Sequence, residues 1–373
     1  MRGLFWCQYL LGIGHLVRGL RLCQSLVQNF DIDFLQGGRE IHQTLPSPRF
    51  HKIPLPAISH IPSAVESYEY ILKKRRDYLE AFLTLPYQFF VSQSFPMGKH
   101  DFKNEVLDII SRVKKINPDC LIICSCLDYI PTDSKQIESI YPILDRYYDK
   151  VFIHCDPQIL NLHETSSLAQ KLGNKLVYTG YVSSGHAVPQ STGERLKRIM
   201  VTMGGGSIGG ELLRAAAEVS IFFPDYEFLL VIGPQAHPNL AKDLWQFQQI
   251  IGGNIRIVPF LSNFTEELQK CALSISLGGS TIIDLCETKT PGIIYPYPSK
   301  FSKQRIRAEQ FALKNILQVI SPEELAPDRL RRIIEKALNS SFPTIDINLN
   351  GAENMRRGIQ SLIEKQKKAK FIS

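Results

Sequence analysis

Short apolar runs alternate with longer amphipathic stretches along nearly the whole chain, and this alternation restricts the fold more than any other feature. An apolar run of about four to eight residues bounded by turn formers reads as a buried strand, and a longer stretch with a 3.6-residue period as a helix. Strand and helix in strict succession imply an α/β protein with parallel sheets. The pattern predicts strands at Leu4–Leu11, Asp31–Gln36, Tyr87–Val91, Cys120–Cys124, Val151–His154 and Lys175–Tyr178. Helices are predicted between them at His15–Gln28, Ala64–Leu83, Lys103–Ile116 and Lys135–Tyr147. Prolines at 46, 48, 54, 56 and 62 exclude a helix there and predict a long extended connection.

The alternation breaks at Ser183–Gly193, a polar stretch rich in Pro and Gly that reads as a linker. It restarts with predicted strands at Arg198–Thr202, Glu227–Ile232, Asn254–Pro259, Leu273–Leu277 and Gly292–Tyr295. The accompanying helices are Gly209–Phe222, Asn239–Ile250, Thr281–Thr288, Gln304–Lys314 and Pro322–Leu338. The 373 residues suit two domains. The expected division is an N-terminal Rossmann-like domain over 1–183, a linker over 184–197, a C-terminal Rossmann-like domain over 198–350 and a final helix over 351–373. Two such halves facing across a cleft would bind a ligand between them.

Composition removes other classes. With 44% apolar and 21% charged residues, disorder and coiled coil are excluded. The net charge is +7, and residues 351–373 alone carry +4 of it; Lys73-Lys74-Arg75-Arg76 is the other dense cluster. No nucleic-acid-reading module accompanies that charge. The eight cysteines sit mostly in apolar runs, as reduced structural thiols do, which predicts a cytoplasmic protein. No run approaches the roughly 18 apolar residues of a membrane span. The two basic clusters allow a peripheral contact with an anionic lipid surface at the inner membrane face, or solvated helix faces.

Three loops between a strand and a helix carry candidate chemistry. The first is Gly12-Ile-Gly14-His15, with Arg18 one turn on. His15 reads as a general base or ligand contact, or as an exposed helix-start residue; Arg18 reads as a partner for a phosphate or carboxylate, or as a surface residue. The second runs from Met203 through Gly204, Gly205, Gly206 and Ser207 to Gly210, with five glycines in seven positions. Such loss of side chains suits close backbone approach to a ligand, and the pattern is neither the P-loop nor the dinucleotide fingerprint. The third is Gly278-Gly279-Ser280-Thr281-Ile-Ile-Asp284, in which Ser280 or Thr281 can cap the next helix. Asp284 reads there as a dipole partner or as an acceptor for ribose hydroxyls.

Together these segments resemble glycosyltransferases of the two-Rossmann-domain (GT-B) type, in the family of the peptidoglycan N-acetylglucosaminyl transferase (family 28-like), and within it a set of predicted bacterial transferases. The resemblance rests on Gly12–His15, on Met203–Gly210, and on Gly278–Asp284 followed by Pro296 and Lys303-Gln304-Arg305-Ile306-Arg307-Ala308. Tyr178–Val182 and Ser94–Lys99 resemble phrases of the predicted subset. It implies that Asp284 binds the donor ribose and Gln304 the donor sugar. Gly205, Gly206, Ser207, Gly279, Ser280 and Thr281 would contact the diphosphate, and the backbone from Ile255 through Val258 to Phe260 would hold the base. Lys303 and Arg307 would add positive charge near the departing nucleotide. On the acceptor side it implies Gly14, Arg18 and Gln93, with His15 or Asp128 removing the acceptor proton. Lys303, Arg307, Gln93 and Leu127 depart from the residues usual at their places.

The expectation is an inverting, metal-independent transferase with no cofactor, moving a sugar from a UDP-, dTDP- or GDP-linked donor to a small-molecule or lipid-linked acceptor. A nucleotide-sugar hydrolase of the pseudaminic-acid pathway type, which shares Gly-X-Gly-His-X-X-Arg, is one rival. A non-catalytic nucleotide-sugar-binding protein is the other.

Overall fold

The computed structural model describes residues 1–9, 13–38, 44–58, 68–128, 130–185, 195–206, 208–251, 254–296 and 303–372. Two compact units are present, Met1–Val182 with Asn348–Ser373, and Ser183–Ile347. The first contains β1 (Arg2–Gln8), α1 (Gly14–Leu26), β2 (Asp31–Gly37), β3 (Phe50–Pro54), α2 (Tyr68–Phe82), β4 (Phe89–Gln93) and α3 (Lys103–Ile116). It continues through β5 (Leu121–Leu127), α4 (Ser134–Tyr147), β6 (Lys150–His154), the short α5 (Leu162–Thr165) and α6 (Ser167–Leu172), and β7 (Leu176–Tyr178).

All seven strands form one parallel sheet in the order β3-β2-β1-β4-β5-β6-β7. Helices cover both faces of such a sheet, so its central strands are apolar throughout. Phe5, Cys7, Val91 and Ile123 are accordingly buried.

The expected extended connection over 45–62 contains a strand instead. β3 pairs with β2 from Ile32↔Phe50 to Gln36↔Pro54. Ile32 N–H donates to Arg49 O and Leu55 N–H to Gln36 O, so odd-numbered residues face β2 and Pro54 turns its missing donor outward from the sheet edge. Proline is tolerated there. Of the expected helix Ala64–Leu83, the part before Tyr68 lies outside the described residues.

The second unit contains β8 (Leu196–Thr202), α7 (Gly210–Val219), β9 (Glu227–Val231), α8 (Pro238–Ile251), β10 (Ile255–Val258), α9 (Phe264–Lys270) and β11 (Cys271–Ser276). After these come α10 (Thr281–Thr288), β12 (Gly292–Ile294), α11 (Lys303–Leu313), β13 (Gln318–Val319) and α12 (Pro327–Leu338). Its parallel sheet has the order β10-β9-β8-β11-β12-β13. The expected helix Pro322–Leu338 is a 3₁₀ turn over Pro322–Leu325 and then α12, which restarts with Pro327 in its first turn, where no N–H is needed. Most of the expected linker (186–194) lies outside the described residues.

The last helix, α13 (Gly351–Ile372), belongs to the first unit. Met355, Ile359 and Ile363 repeat every four residues and enter the same core as Leu16, Leu20 and Cys23 of α1. Its start is clamped by hydrogen bonds. Tyr181 N–H donates to Asn348 O (2.7 Å), Gly351 N–H to Tyr181 O (2.9 Å) and Asn354 Nδ2 to Thr179 O (2.8 Å). A methyl group on Gly351 would lie 2.4 Å from Gly180 O, so only glycine fits that junction. Each sheet therefore has one place where neighbouring connections run to opposite sides, between β1 and β4 and between β8 and β11. Ligands of open α/β sheets bind at the carboxyl ends of strands at such switch points.

Candidate functional site

In the second unit, the loops after β8 and β11 meet at the switch point. Gly204 (φ +74°) follows β8, with its N–H donated to Thr202 Oγ1 at 3.0 Å. Gly209 (φ +108°) ends the loop, and a methyl group on it would lie 2.7 Å from Leu277 Cδ1 in the loop after β11. That second loop turns at Gly278 (φ +83°), where a methyl group would lie 2.6 Å from Ile294 of β12. Gly233, after β9, is the third constraint: a Cβ there would fall 2.0 Å from Gly204 O. Left-handed backbone and close approach thus explain the glycines together.

The first turns of α7 and α10 follow directly, offering unpaired N–H groups of the kind that bind phosphate. Gln304 at the start of α11 closes the site, with Nε2 4.0 Å from the position a Cβ would take on Gly279. Its Oε1 is buried with no hydrogen-bond partner among the described residues. The sequence therefore pointed to Gly279, Ser280, Thr281 and Gln304, which the fold brings together with Gly204–Gly206. Asp284 lies in the first turn of α10 and is 3% exposed, and Arg307, one turn beyond Gln304, is 7% exposed.

One expectation needs correction, and the remaining donor-side positions lie as follows. Ser280 stands at the N-cap of α10 without a capping hydrogen bond from its side chain. Val258 O accepts from Ile232 N–H (3.0 Å) and Pro259 O from Gly233 N–H (3.0 Å), so strand pairing occupies both carbonyls. Phe260 is exposed. Ser207 and the side chain of Lys303 lie outside the described residues.

In the first unit, α1 follows β1 at the other switch point. Gly12 lies outside the described residues. Gly14 is the exposed first residue of α1, and a methyl group on it would touch nothing within 4 Å, so the backbone does not require glycine there. His15 is half-buried. Its carbonyl accepts from Gln93 Nε2 (3.0 Å) and Cys7 Sγ (3.6 Å), and its Nδ1 lies 3.2 Å from Arg18 Nη2. Arg18 is buried and also reaches Ser94 Oγ at 3.5 Å, which removes the surface reading. Gln93 is fully buried and props the His15 carbonyl from β4. Asp128 follows β5 and is 5% exposed.

Sequence reasoning missed the neighbours. Ser94 (φ +71°) and Lys99 (φ +64°) are non-glycine residues in left-handed conformation, flanking the loop after β4. Such strain collects where a loop is held for function. His154, at the end of β6, bonds Ser125 Oγ through Nε2 and Thr179 Oγ1 through Nδ1, both at 2.7 Å. Burial, and then the Arg18 charge, push its pKa down to about 3. Burial raises the Cys7 thiol to about 12. No local motif marks Ser125, His154 and Thr179, because three separate strands bring them together.

The basic cluster on α2 also changes meaning. Arg75 is fully buried, with Nε 2.6 Å and Nη2 2.8 Å from the two Glu105 oxygens, and it stacks on Phe102. Lys73 and Lys74 stay exposed.

Residues 199–360 match the glycosyltransferase family 28 C-terminal domain, a span that contains both glycine loops of the second sheet. The chain has the GT-B fold, and its second unit matches a family 28 C-terminal domain. An uncharacterized glycosyltransferase of Methanopyrus kandleri is 25% identical over 174 residues, 44% of this chain and 45% of that protein. A UDP-N-acetylglucosamine--N-acetylmuramyl-(pentapeptide) pyrophosphoryl-undecaprenol N-acetylglucosamine transferase of Trichodesmium erythraeum is 32% identical over 100 residues, 26% of each chain. The match thus spans less than half the length of either curated relative. The crystal structure of MurG from Acinetobacter baumannii superposes with a TM-score of 0.58 at 13% identity, covering 97% of this chain and all of the other. At that identity the likeness establishes the GT-B fold. Among the described residues, no helix is long and apolar enough to cross a membrane.

Proposed function

We propose that the chain is an inverting glycosyltransferase, with the nucleotide-sugar donor held at the switch point of the second sheet and the acceptor at that of the first. One observation carries the donor side. Two glycine loops and the N-termini of α7 and α10 converge beside Gln304, inside the span that matches family 28. Backbone N–H groups at helix starts stabilise the diphosphate as negative charge grows on it, the work that a divalent cation does elsewhere. The acceptor hydroxyl attacks the anomeric carbon opposite the leaving nucleoside diphosphate, and a base takes its proton. Asp284 and Gln304 then fit the ribose and the sugar.

A thermal-shift screen over UDP-, dTDP- and GDP-linked sugars, headed by UDP-N-acetylglucosamine, tests this reading. A donor of one base should raise the melting temperature, with its nucleotide diphosphate nearly as effective. Turnover should survive EDTA, and the product anomer should be inverted relative to the donor. No shift with any nucleotide sugar would overturn the proposal. Nucleotide-sugar hydrolysis is a second reading, favoured by the His15–Arg18 contact within Gly-X-Gly-His-X-X-Arg. Sugar release that proceeds fast and ignores every acceptor would select it. Membrane contact is tested by vesicle co-sedimentation; with Arg75 buried, α13 is the larger of the two basic clusters.

A further inference from the structure

The contact between Arg18 and His15 fixes more than a position. A guanidinium has donors only and stays protonated in proteins. At 3.2 Å from Arg18 Nη2, His15 Nδ1 must therefore be the acceptor, and the single ring hydrogen of neutral His15 resides on Nε2. A histidine that serves as a base through Nε2 has the opposite arrangement, with an acceptor holding Nδ1–H. Here the only lone pair of the ring points at a cation. Taking a second proton would place an imidazolium against the guanidinium.

Neighbouring side chains from the end of β4 hold this arrangement. His15 and Arg18 are three residues apart on α1 and share one face of it. Ser94 Oγ, in its left-handed loop, receives the same Nη2 at 3.5 Å, and Gln93 fixes the His15 carbonyl. Both come from the end of β4, across the switch point from β1.

We propose that Arg18 is a positioning residue that locks His15 in the Nε2–H tautomer, so that His15 donates a hydrogen bond from Nε2 and is not the proton acceptor of the reaction. The inference rests on the first switch point being the acceptor side. It leaves Asp128, a buried carboxylate just after β5, as the group to test for the base role.

The tautomer is measurable without any substrate. Protein labelled with ¹⁵N and ¹³C in histidine is examined by long-range nitrogen–carbon-bound-proton correlation at about pH 8, where an unperturbed imidazole is neutral. The His15 signals are those lost in His15→Gln. The expected wild-type pattern is a protonated Nε2 and an acceptor Nδ1, and Arg18→Met should shift it toward a mixture. A protonated Nδ1 in the wild type, or an unchanged tautomer in Arg18→Met, overturns the proposal. Should the Met variant fail to fold, the wild-type spectrum decides alone.

Turnover of the donor found in the thermal-shift screen gives a second readout. His15→Gln keeps a donor near the Nε2 position and should lower turnover by about tenfold or less. Asp128→Asn should lower it by at least about a hundredfold, as loss of a base does. The reverse order refutes the assignment. If the wild type turns over no donor, the transferase reading fails while the tautomer result stands by itself.

Discussion

Gly233→Ala should destroy nucleotide binding without touching a nucleotide. The added Cβ would lie 2.0 Å from Gly204 O, 3.2 Å from Gly204 C and 3.7 Å from Gly205 Cα. To reach even 3.0 Å, the closest approach real Cβ atoms make, the Gly204 carbonyl must retreat by 1.0 Å. Gly233 also sits at φ +90°, where an L-residue costs about 1–2 kcal/mol. Gly204→Ala separates the two effects. Its φ of +74° carries a similar backbone cost, but its methyl group meets nothing within 4 Å. The smaller entropy of the unfolded alanine chain offsets about 0.4–1 kcal/mol of that cost.

Gly204→Ala should therefore lose about 0.5–1 kcal/mol, or roughly 1–4 °C in melting temperature for a unit of this size. Gly233→Ala adds the loop displacement, and a shift of about 1 Å in a positioning loop costs on the order of a hundredfold in function. Isothermal titration of UDP, with thermal unfolding of the same preparations, checks both. Near-wild-type affinity in folded Gly233→Ala, together with lost affinity in Gly204→Ala, would refute the argument that close packing of these loops shapes the site.

Three further outcomes follow from the buried groups. Glu105→Gln strips the charge that faces the fully buried Arg75 and should cost about 3–5 kcal/mol by chemical denaturation, whereas Arg75→Met should cost less, because it leaves no buried charge behind. His154 is neutral in the folded protein down to about pH 3, while the unfolded chain takes up its proton near pH 6.5. Stability contributed by the neutral ring is thus complete above pH 6.5 and falls by about 1.4 kcal/mol per pH unit below it. His154→Gln should flatten that slope between about pH 6 and 4, and an unchanged slope would contradict the buried neutral ring. All eight cysteines are buried and free, so the native protein should resist Ellman's reagent and release all eight thiols only in denaturant. Rapid labelling of Cys7, whose thiol burial raises to about 12, would speak against the packing of β1.

The strand–helix alternation read from the sequence matches the observed order closely, because buried parallel strands must be apolar on both faces. The helices Lys103–Ile116 and Thr281–Thr288 occupy the predicted residues. What escaped was short or contextual. α9 has seven residues and β13 two, less than the periodicity needs to show itself. β3 hid among prolines because an edge strand turns alternate N–H groups away from its partner, leaving room for Pro54. The burial of Arg75 could not be read from Lys-Lys-Arg-Arg, since its partner Glu105 lies 30 residues on, in α3.

The two switch points differed in legibility for a physical reason. In the second sheet the loops are set by left-handed backbone conformation, and at Gly209, Gly233 and Gly278 also by close approach of a neighbouring group, which glycine alone tolerates. Gly204, Gly209, Gly233 and Gly278 all have positive φ, so the constraint is written directly as residue type. A phosphate-binding loop made of main-chain N–H groups has few other spellings. In the first sheet the same place is held by side chains: Arg18 to His15 and Ser94, Gln93 to the His15 carbonyl. Many residue sets could build such a contact, and none leaves a local pattern. Gly14, the glycine that looked most like a signature there, meets no steric need. A donor that always presents a diphosphate permits a backbone solution. On the proposed reading an acceptor site must fit one particular molecule, which demands side-chain chemistry, and Arg18, Gln93, Ser94 and Asp128 would then make that choice rather than any glycine motif.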